Sequence, residues 1–153
     1  MGSFLSALKK RSPESAAEEE ERSAVVSVHS NEAWKAQWKA HMSSNKLMVI
    51  DFSATWCGPC RFIEPVYKAL ASRFTGAGAS FVKIDVDELS GSGSLGCMVD
   101  YLIGNREVDQ DIAKEWRIEA MPTFVFVKGG KEVARVLGAN KEELEGTVAQ
   151  LMA

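Results

Sequence analysis

The sequence has few cysteines, no excess of positive charge and no long apolar run. Three cysteines in 153 residues are too few, and odd in number, for the disulfide framework of a small secreted protein. Lys and Arg number 18 against 21 Asp and Glu, a net charge of −3, so we expect no nucleic-acid binding. No stretch approaches the roughly 18 apolar residues that cross a bilayer. The length suits one compact domain.

The first 23 residues differ in composition from the rest. A short apolar run precedes the basic residues at 9–11, which reverses the order found in a secretory signal. The glutamates at 18–21 are unlike an organelle transit peptide, which is poor in acidic residues. We therefore expect residues 1–23 to form a disordered tail and the protein to be cytoplasmic.

The same tail begins with a pattern for N-myristoylation, in which Gly2 is the acceptor and Ser6 stands at the required position. A chance match in a disordered segment is the alternative. One acyl chain binds a membrane weakly and reversibly, and the basic residues at 9–11 would add about 1 kcal/mol each near an anionic leaflet. The pattern predicts a weak, reversible membrane contact through the N-terminus.

Apolar periodicity predicts strands and helices from residue 24 onward. The run at 47–52 is apolar apart from Asp51, as in a parallel strand covered on both faces. Gly129 and Gly130 predict a hairpin turn, and Pro65 should kink or restart its helix. Strands are predicted at 24–28, 47–52, 80–86, 123–127 and 132–137. Four helices are predicted: one after a cap at residue 30 or 31, one that begins at the cysteine segment and ends at about residue 74, one at 110–116, and one after a cap at residue 140. The fold class is α/β with a mixed sheet.

Two of the cysteines, Cys57 and Cys60, flank Gly58 and Pro59 between a predicted buried strand and a predicted helix. Two intervening residues on a first helical turn bring the sulfurs close enough to form and break a disulfide. The partial positive charge of a helix N-terminus stabilises a thiolate at Cys57, which lowers its pKa below the usual value of about 8.5. Pro59 fits the first turn because it has no N–H to lose. The segment predicts an activated nucleophile.

A zinc site is the structural alternative for such a pair. Tetrahedral zinc needs two more ligands, and Cys97, His29 and His41 are not paired at ligand spacing. The sequence also lacks a nucleotide-binding fingerprint. We therefore expect neither a metal nor a bound cofactor.

Residues 49–63, which contain the cysteine pair, and residues 120–124, Ala-Met-Pro-Thr-Phe, resemble the thioredoxin family. Segments 60–63 and 85–89 are similar to the cytosolic h-type thioredoxins of plants in particular. The resemblance covers about 24–89 and 110–153. It implies a thioredoxin domain at 24–153, with a central mixed β-sheet flanked by helices.

The resemblance implies a thiol–disulfide oxidoreductase that reduces protein disulfides. Cys57 would be the nucleophile and Cys60 the resolving cysteine. Asp51 would exchange a proton with Cys60, and Lys83 would be the charge partner of Asp51. Burial in an apolar strand should raise the pKa of Asp51. The alternatives are a buried carboxyl satisfied by hydrogen bonds alone and, for Lys83, a strand-edge charge.

The resemblance also assigns residues that would shape the active site or contact a substrate. The shaping residues would be Trp56, Gly58 and Pro59, and the substrate-binding residues Met121, Pro122 and Gly138. Pro122 is expected in the cis form, which costs little before proline, and Trp116 is expected in the core. The implied partners are disulfide-containing target proteins and an NADPH-dependent thioredoxin reductase, and we expect a monomer.

Residues 90–109 interrupt the resemblance, because their removal would join 85–89 to 110–116 as one continuous segment. This insertion begins with a Ser/Gly-rich stretch typical of flexible linkers. It follows a strand parallel to the one before Cys57, at the ligand-facing edge of the sheet, where it would shade the active site or extend partner contact. Retained non-coding sequence is the alternative. Cys97 within it is expected to be a thiol without a role, with a regulatory cysteine as the alternative.

Two other functions remain open. Disulfide isomerases and oxidases share the cysteine pair but usually place a histidine between the cysteines, whereas Gly58 and Pro59 favour reduction. A non-catalytic binding module would result if the insertion blocked Cys57. The presence of both cysteines and Asp51 favours catalysis.

Overall fold

The structure, a computed structural model, describes residues 13–14, 23–89 and 112–153. Most of the predicted tail at 1–23, including Gly2, lies outside the described residues. So do the predicted insertion at 90–109, with Cys97, and the first two residues of the helix predicted at 110–116. These parts of the sequence analysis stay predictions.

Within the described residues, five strands form one mixed sheet in the order β1-β3-β2-β4-β5. The strands are β1 (Val25–Val28), β2 (Leu47–Ser53), β3 (Ala79–Asp85), β4 (Thr123–Lys128) and β5 (Lys131–Leu137). The pairs β1/β3 and β2/β3 are parallel, whereas β2/β4 and β4/β5 are antiparallel. The predicted α/β class with a mixed sheet is confirmed.

The helices are α1 (Asn31–Met42), α2 (Gly58–Phe74), α3 (Ile112–Glu115) and α4 (Lys141–Met152), with a 3₁₀ turn at Thr75–Ala77. Ser30 caps α1, since its side chain accepts the Ala33 N–H. Asn140 caps α4 by accepting the Glu143 N–H at 3.1 Å. These caps satisfy N–H groups that the first turn of a helix leaves without partners. Helix α2 contains Pro65 as one continuous element, so the predicted restart does not occur.

The sheet is covered on both faces, and β2 is buried along its whole length. Alternate side chains of a strand point to opposite faces. Met48, Ile50 and Phe52 therefore pack in one apolar cluster with residues of α1 and α3, while Leu47 and Val49 pack in a second with residues of α2 and α4. We call these the α1 face and the α2 face. No helix in the described ranges is long and apolar enough to cross a membrane.

One edge of the sheet brings the cysteines and the proline together. Strand β4 runs antiparallel to β2, with Thr123 opposite Phe52. The carboxyl end of β2 and the amino end of β4 therefore share an edge, and α2 begins there as well. The cysteine pair follows β2, and Pro122 directly precedes β4.

Candidate active site

Cys57 and Cys60 lie at the N-terminus of α2 and are joined by a disulfide, with their Cα atoms 5.3 Å apart. Cys57 is the N-cap residue, and its Sγ accepts the Cys60 N–H at 3.2 Å. Only 5% of Cys57 and 6% of Cys60 is exposed. The sulfur of Cys57 thus takes the place of a capping oxygen, where the partial positive charge of the helix favours a thiolate after reduction.

The segment before β4 faces this disulfide. The Met121–Pro122 peptide bond is cis, which confirms the sequence-based prediction. The Met121 carbonyl oxygen lies 3.7 Å from Cys57 Sγ. Gly138 has a φ of +79°, which suits glycine, and its N–H donates to the Pro122 carbonyl at 2.8 Å. The three predicted substrate-binding residues therefore form one connected segment beside the cysteines.

Apolar side chains near the cysteines are exposed to solvent. Trp56 is 65% exposed, and its Nε1–H donates to Asp87 Oδ2 at 2.8 Å. Phe62, two residues after Cys60, is 74% exposed, and Leu137, next to Gly138, is 60% exposed. Exposed apolar side chains around a reactive group are suited to contact with another protein.

Asp51 is buried in β2 and projects onto the α2 face. Burial raises its pKa to about 7, although the charge of Lys83 lowers that pKa and the charge of Glu64 raises it further. The predicted rise is therefore confirmed. Its Oδ1 has no hydrogen-bond partner among the described residues, so the alternative of a carboxyl satisfied by hydrogen bonds does not hold for this oxygen.

Lys83 stands opposite Asp51 in the β2/β3 register, yet its ammonium binds another carboxylate. Lys83 Nζ donates to Glu64 Oε1 at 3.1 Å, and Lys68 Nζ lies 3.4 Å from the same oxygen. Burial tends to raise the pKa of Glu64, but the two lysines together outweigh it and lower that pKa. Lys83 therefore acts on Asp51 through its charge, while its ion pair is with Glu64.

A cleft of about 220 Å³ connects Cys60 with this ion pair. Its lining residues come from the end of β2, the start of α2 and β3: Ser53, Ala54, Thr55, Cys60, Arg61, Glu64, Lys83 and Asp85. The cleft gives water a route to the side of Cys60 that faces the charged groups. Among the residues the structure describes, no group of three or more His, Cys, Asp or Glu side chains is placed to hold a metal ion.

The sequence did not predict a functional role for Glu64, Phe62 or Asp87. Glu64 precedes Lys68 by four residues, a spacing at which helical charges pair, and this signal could have marked it as a charged group on α2. Phe62 stands next to Ile63 and off the buried stripe of α2. An apolar residue off such a stripe is a candidate for surface contact. No local pattern connects Asp87 with Trp56, because 31 residues separate them.

A disulfide at a helix N-terminus, facing a cis proline on a mixed sheet, defines a thiol–disulfide oxidoreductase. The Thioredoxin family model matches residues 25–95 and 99–150. The chain belongs to the thioredoxin family.

Named relatives agree with this assignment. Thioredoxin H2-2 of Oryza sativa subsp. japonica is 53% identical over 149 residues, which cover 97% of this chain and 93% of that protein. Thioredoxin H2 of Arabidopsis thaliana is 44% identical over 135 residues, covering 88% and 85%. The crystal structure of thioredoxin NaTrxh from Nicotiana alata matches with a TM-score of 0.67 at 41% identity, covering 84% and 92%. With its cysteine pair, the chain is a protein-disulfide reductase.

Proposed function

We propose that the chain reduces disulfides of partner proteins through a two-step exchange at Cys57 and Cys60. The Cys57 thiolate attacks one sulfur of the partner disulfide, and the other partner sulfur leaves as a thiolate. Cys60 then gives up its proton and attacks Cys57 Sγ, which releases the second partner thiolate and leaves the Cys57–Cys60 disulfide. Two electrons pass to the partner. The observation that carries this proposal is the disulfide at the cap of α2, with Cys57 as the capping residue.

In this cycle Asp51 takes the proton from Cys60 and returns one when the disulfide is reduced again. One observation supports this role. Its pKa of about 7 lets the carboxyl hold or release a proton near neutral pH.

The partner would meet the exposed surface around the disulfide. Met121, Pro122 and Gly138 offer backbone groups beside Cys57 Sγ, and Trp56 offers an exposed ring held by Asp87. Gly58 and Pro59 lie in the first turn of α2 and shape the loop between the sulfurs. This arrangement suits an extended partner segment that presents a disulfide.

An NADPH-dependent thioredoxin reductase would return the Cys57–Cys60 disulfide to the dithiol. This partner is proposed because the chain belongs to the thioredoxin family. We further propose a cytoplasmic monomer that contacts membranes weakly when Gly2 is myristoylated. Support for the lipid comes from the opening sequence pattern alone.

Reduction of insulin disulfides, driven by NADPH and thioredoxin reductase, tests the cycle. Cys57→Ser should abolish activity because it removes the nucleophile. Cys60→Ser should trap a mixed disulfide with the partner, visible as a covalent complex on a non-reducing gel. Cys97→Ser is the matched control, since it removes a thiol outside the pair, and should keep wild-type activity.

An inactive wild-type protein would instead support a non-catalytic binding module. A wild type that oxidises reduced substrates or reshuffles their disulfides faster than it reduces insulin would support the oxidase or isomerase alternative. For the lipid, labelled myristate should enter the wild type and not Gly2→Ala. Unchanged membrane fractionation of Gly2→Ala would contradict the proposed membrane contact.

A further inference from the structure

Lys83 stands between two carboxyl groups and pairs with only one of them. Its backbone is registered against Asp51 on the neighbouring parallel strand. Its ammonium lies 3.1 Å from Glu64 Oε1 on α2, with side chains that are 31% and 29% exposed. Among the described residues, Asp51 has no ion pair within 4 Å, and its Oδ1 has no hydrogen-bond partner. The lysine closest to Asp51 in register is thus held by a different residue.

We propose that Glu64 is a positioning residue for the redox cycle. Its carboxylate holds the Lys83 ammonium on the side of α2, so that Asp51 stays without a salt-bridge partner and can exchange a proton with Cys60. The inference rests on the proposed role of Asp51 as the proton carrier. Glu64 itself need not touch a substrate or a reacting sulfur.

Two carboxyl groups, those of Asp51 and Glu64, compete for the Lys83 ammonium. An ammonium within salt-bridge distance of Asp51 would favour the ionised carboxylate and lower its pKa. A carboxylate that stays ionised at neutral pH is a poor store for a proton. Glu64 removes this partner, and its own negative charge further disfavours ionisation of Asp51.

Lys68 is a second lysine that pairs with Glu64 and so affects where Lys83 lies. Glu64 Oε1 lies within 4 Å of both Lys83 and Lys68, so one negative charge separates two positive charges. Without that carboxylate the two ammonium groups would repel each other. Lys83 would then gain free energy by moving toward Asp51, its register partner.

The other described groups around Asp51 are neutral or apolar, so Lys83 and Glu64 control its ionisation. From α2, Tyr67 also faces Asp51, but burial and the charge of Asp51 raise the Tyr67 pKa well above its ordinary value, so the phenol stays neutral. Its hydroxyl lies at hydrogen-bond distance from the Val49 and Val82 carbonyls. The register partner on β4 is Phe124, and the buried residues of α4 are apolar. Lys83 and Glu64 are therefore the charges that act on Asp51.

Titration of the Asp51 carboxyl by ¹³C NMR in the oxidised, substrate-free protein tests the inference. Glu64→Gln keeps the shape of the side chain and removes its charge. The Asp51 midpoint should fall by about one pH unit, the usual effect of a nearby opposite charge. The pH profile of insulin reduction should move to lower pH by a similar amount. If the glutamine variant does not fold, Glu64→Ala provides the same measurement.

Two comparisons separate positioning from other effects. Glu145→Gln removes the same charge from an exposed site on α4, and it should leave the Asp51 midpoint unchanged. In a Lys83→Met background, Glu64→Gln should lose most of its effect, because no lysine is left to position. An unchanged midpoint in Glu64→Gln, or an equal shift with and without Lys83, would overturn the inference. Since the titration needs no partner protein, an inactive wild type would count against the proposed function and not against this measurement.

Discussion

Asp51 and His41 are both buried titratable side chains, 2% and 3% exposed, the first in the central strand β2 and the second in helix α1. Burial favours the neutral form of each side chain, so it raises the pKa of Asp51 and lowers the pKa of His41. Each has one polar atom without a hydrogen-bond partner among the described residues. The charges of Lys83 and Glu64 act on Asp51, and these two residues line the cleft that reaches Cys60, whereas His41 lies against Trp38 and accepts the Gly130 N–H. A shifted pKa reports burial, and only the neighbouring chemistry distinguishes a site from a structural contact.

The two groups should also affect stability in opposite directions as the pH changes. The folded pKa of Asp51 is about 7, against an ordinary value of 3.8, so the folded chain holds a proton that the unfolded chain has lost between these values. Stability therefore falls as the pH rises from about 4 to 7. The pKa of His41 is lowered on folding, so its contribution is present above about pH 6.5 and is lost as the pH falls through its folded pKa.

The largest expected effect comes from Asp51→Asn, which removes the cost of ionising a buried carboxyl. Near pH 8 the variant should gain roughly 4 kcal/mol in free energy of unfolding, from a shift of about three pKa units at about 1.4 kcal/mol each. The gain should vanish below about pH 4, where both states of the wild type are protonated. Urea unfolding of the oxidised proteins at several pH values measures this. A gain that does not depend on pH would show that packing, and not ionisation, is responsible.

A smaller effect on stability is expected at the turn formed by Gly129 and Gly130, where the Gly130 N–H donates to His41. Gly130 has a φ of +75°, and a Cβ there would collide with Met42 Sδ. Gly130→Ala should therefore cost about 2 kcal/mol, with about half from the backbone conformation and the rest from moving Met42.

Gly129→Ala is the matched control for this turn. Its φ is +57°, but nothing lies within 4 Å of the added Cβ, so only the backbone cost of about 1 kcal/mol should appear. Urea unfolding at one pH compares the two variants. Equal losses would mean that Met42 moves freely and that the contact with α1 contributes nothing.

The smallest effect is the removal of the His41 titration. Relative to the wild type, His41→Asn should gain stability as the pH falls below about 6.5, because the variant has no buried imidazole whose protonation opposes folding. The comparison uses the slope of stability against pH, so that any constant cost of the substitution cancels. A slope equal to that of the wild type would show that His41 does not contribute to the pH dependence.

Local patterns predicted the fold and the reactive pair because each depends on neighbours in the chain. The apolar run around Asp51 identified a buried central strand, and Cys57, Pro59 and Cys60 lie within one helical turn. Pairs of distant residues were harder to predict. Lys83 and Glu64 are 19 residues apart, and their contact depends on how α2 lies over β3. His41 and Gly130 are 89 residues apart, and no periodicity indicates their hydrogen bond.

The resemblance assigned Lys83 to Asp51, and register alone supports that pairing. The ammonium of Lys83 instead pairs with Glu64 on α2, the helix that covers this face of the sheet. Strand register places backbones, whereas the partner of a long, flexible lysine depends on which acceptor remains solvated and ionised. The ion-pair partner of such a lysine therefore depends on tertiary packing, and a local sequence pattern does not indicate it.

The four tryptophans divide the molecule into two optical environments. The rings of Trp34, Trp38 and Trp116 lie 5.6–6.0 Å apart by centroid, close enough to share excitation energy and to emit as one packed group. Trp56 is exposed and directly precedes Cys57, so a water-soluble quencher reaches it first. Light emitted by the chain therefore carries two signals, one from the apolar cluster and one from beside the disulfide. A selective quencher can separate the state of the cysteines from the state of the fold without any added label.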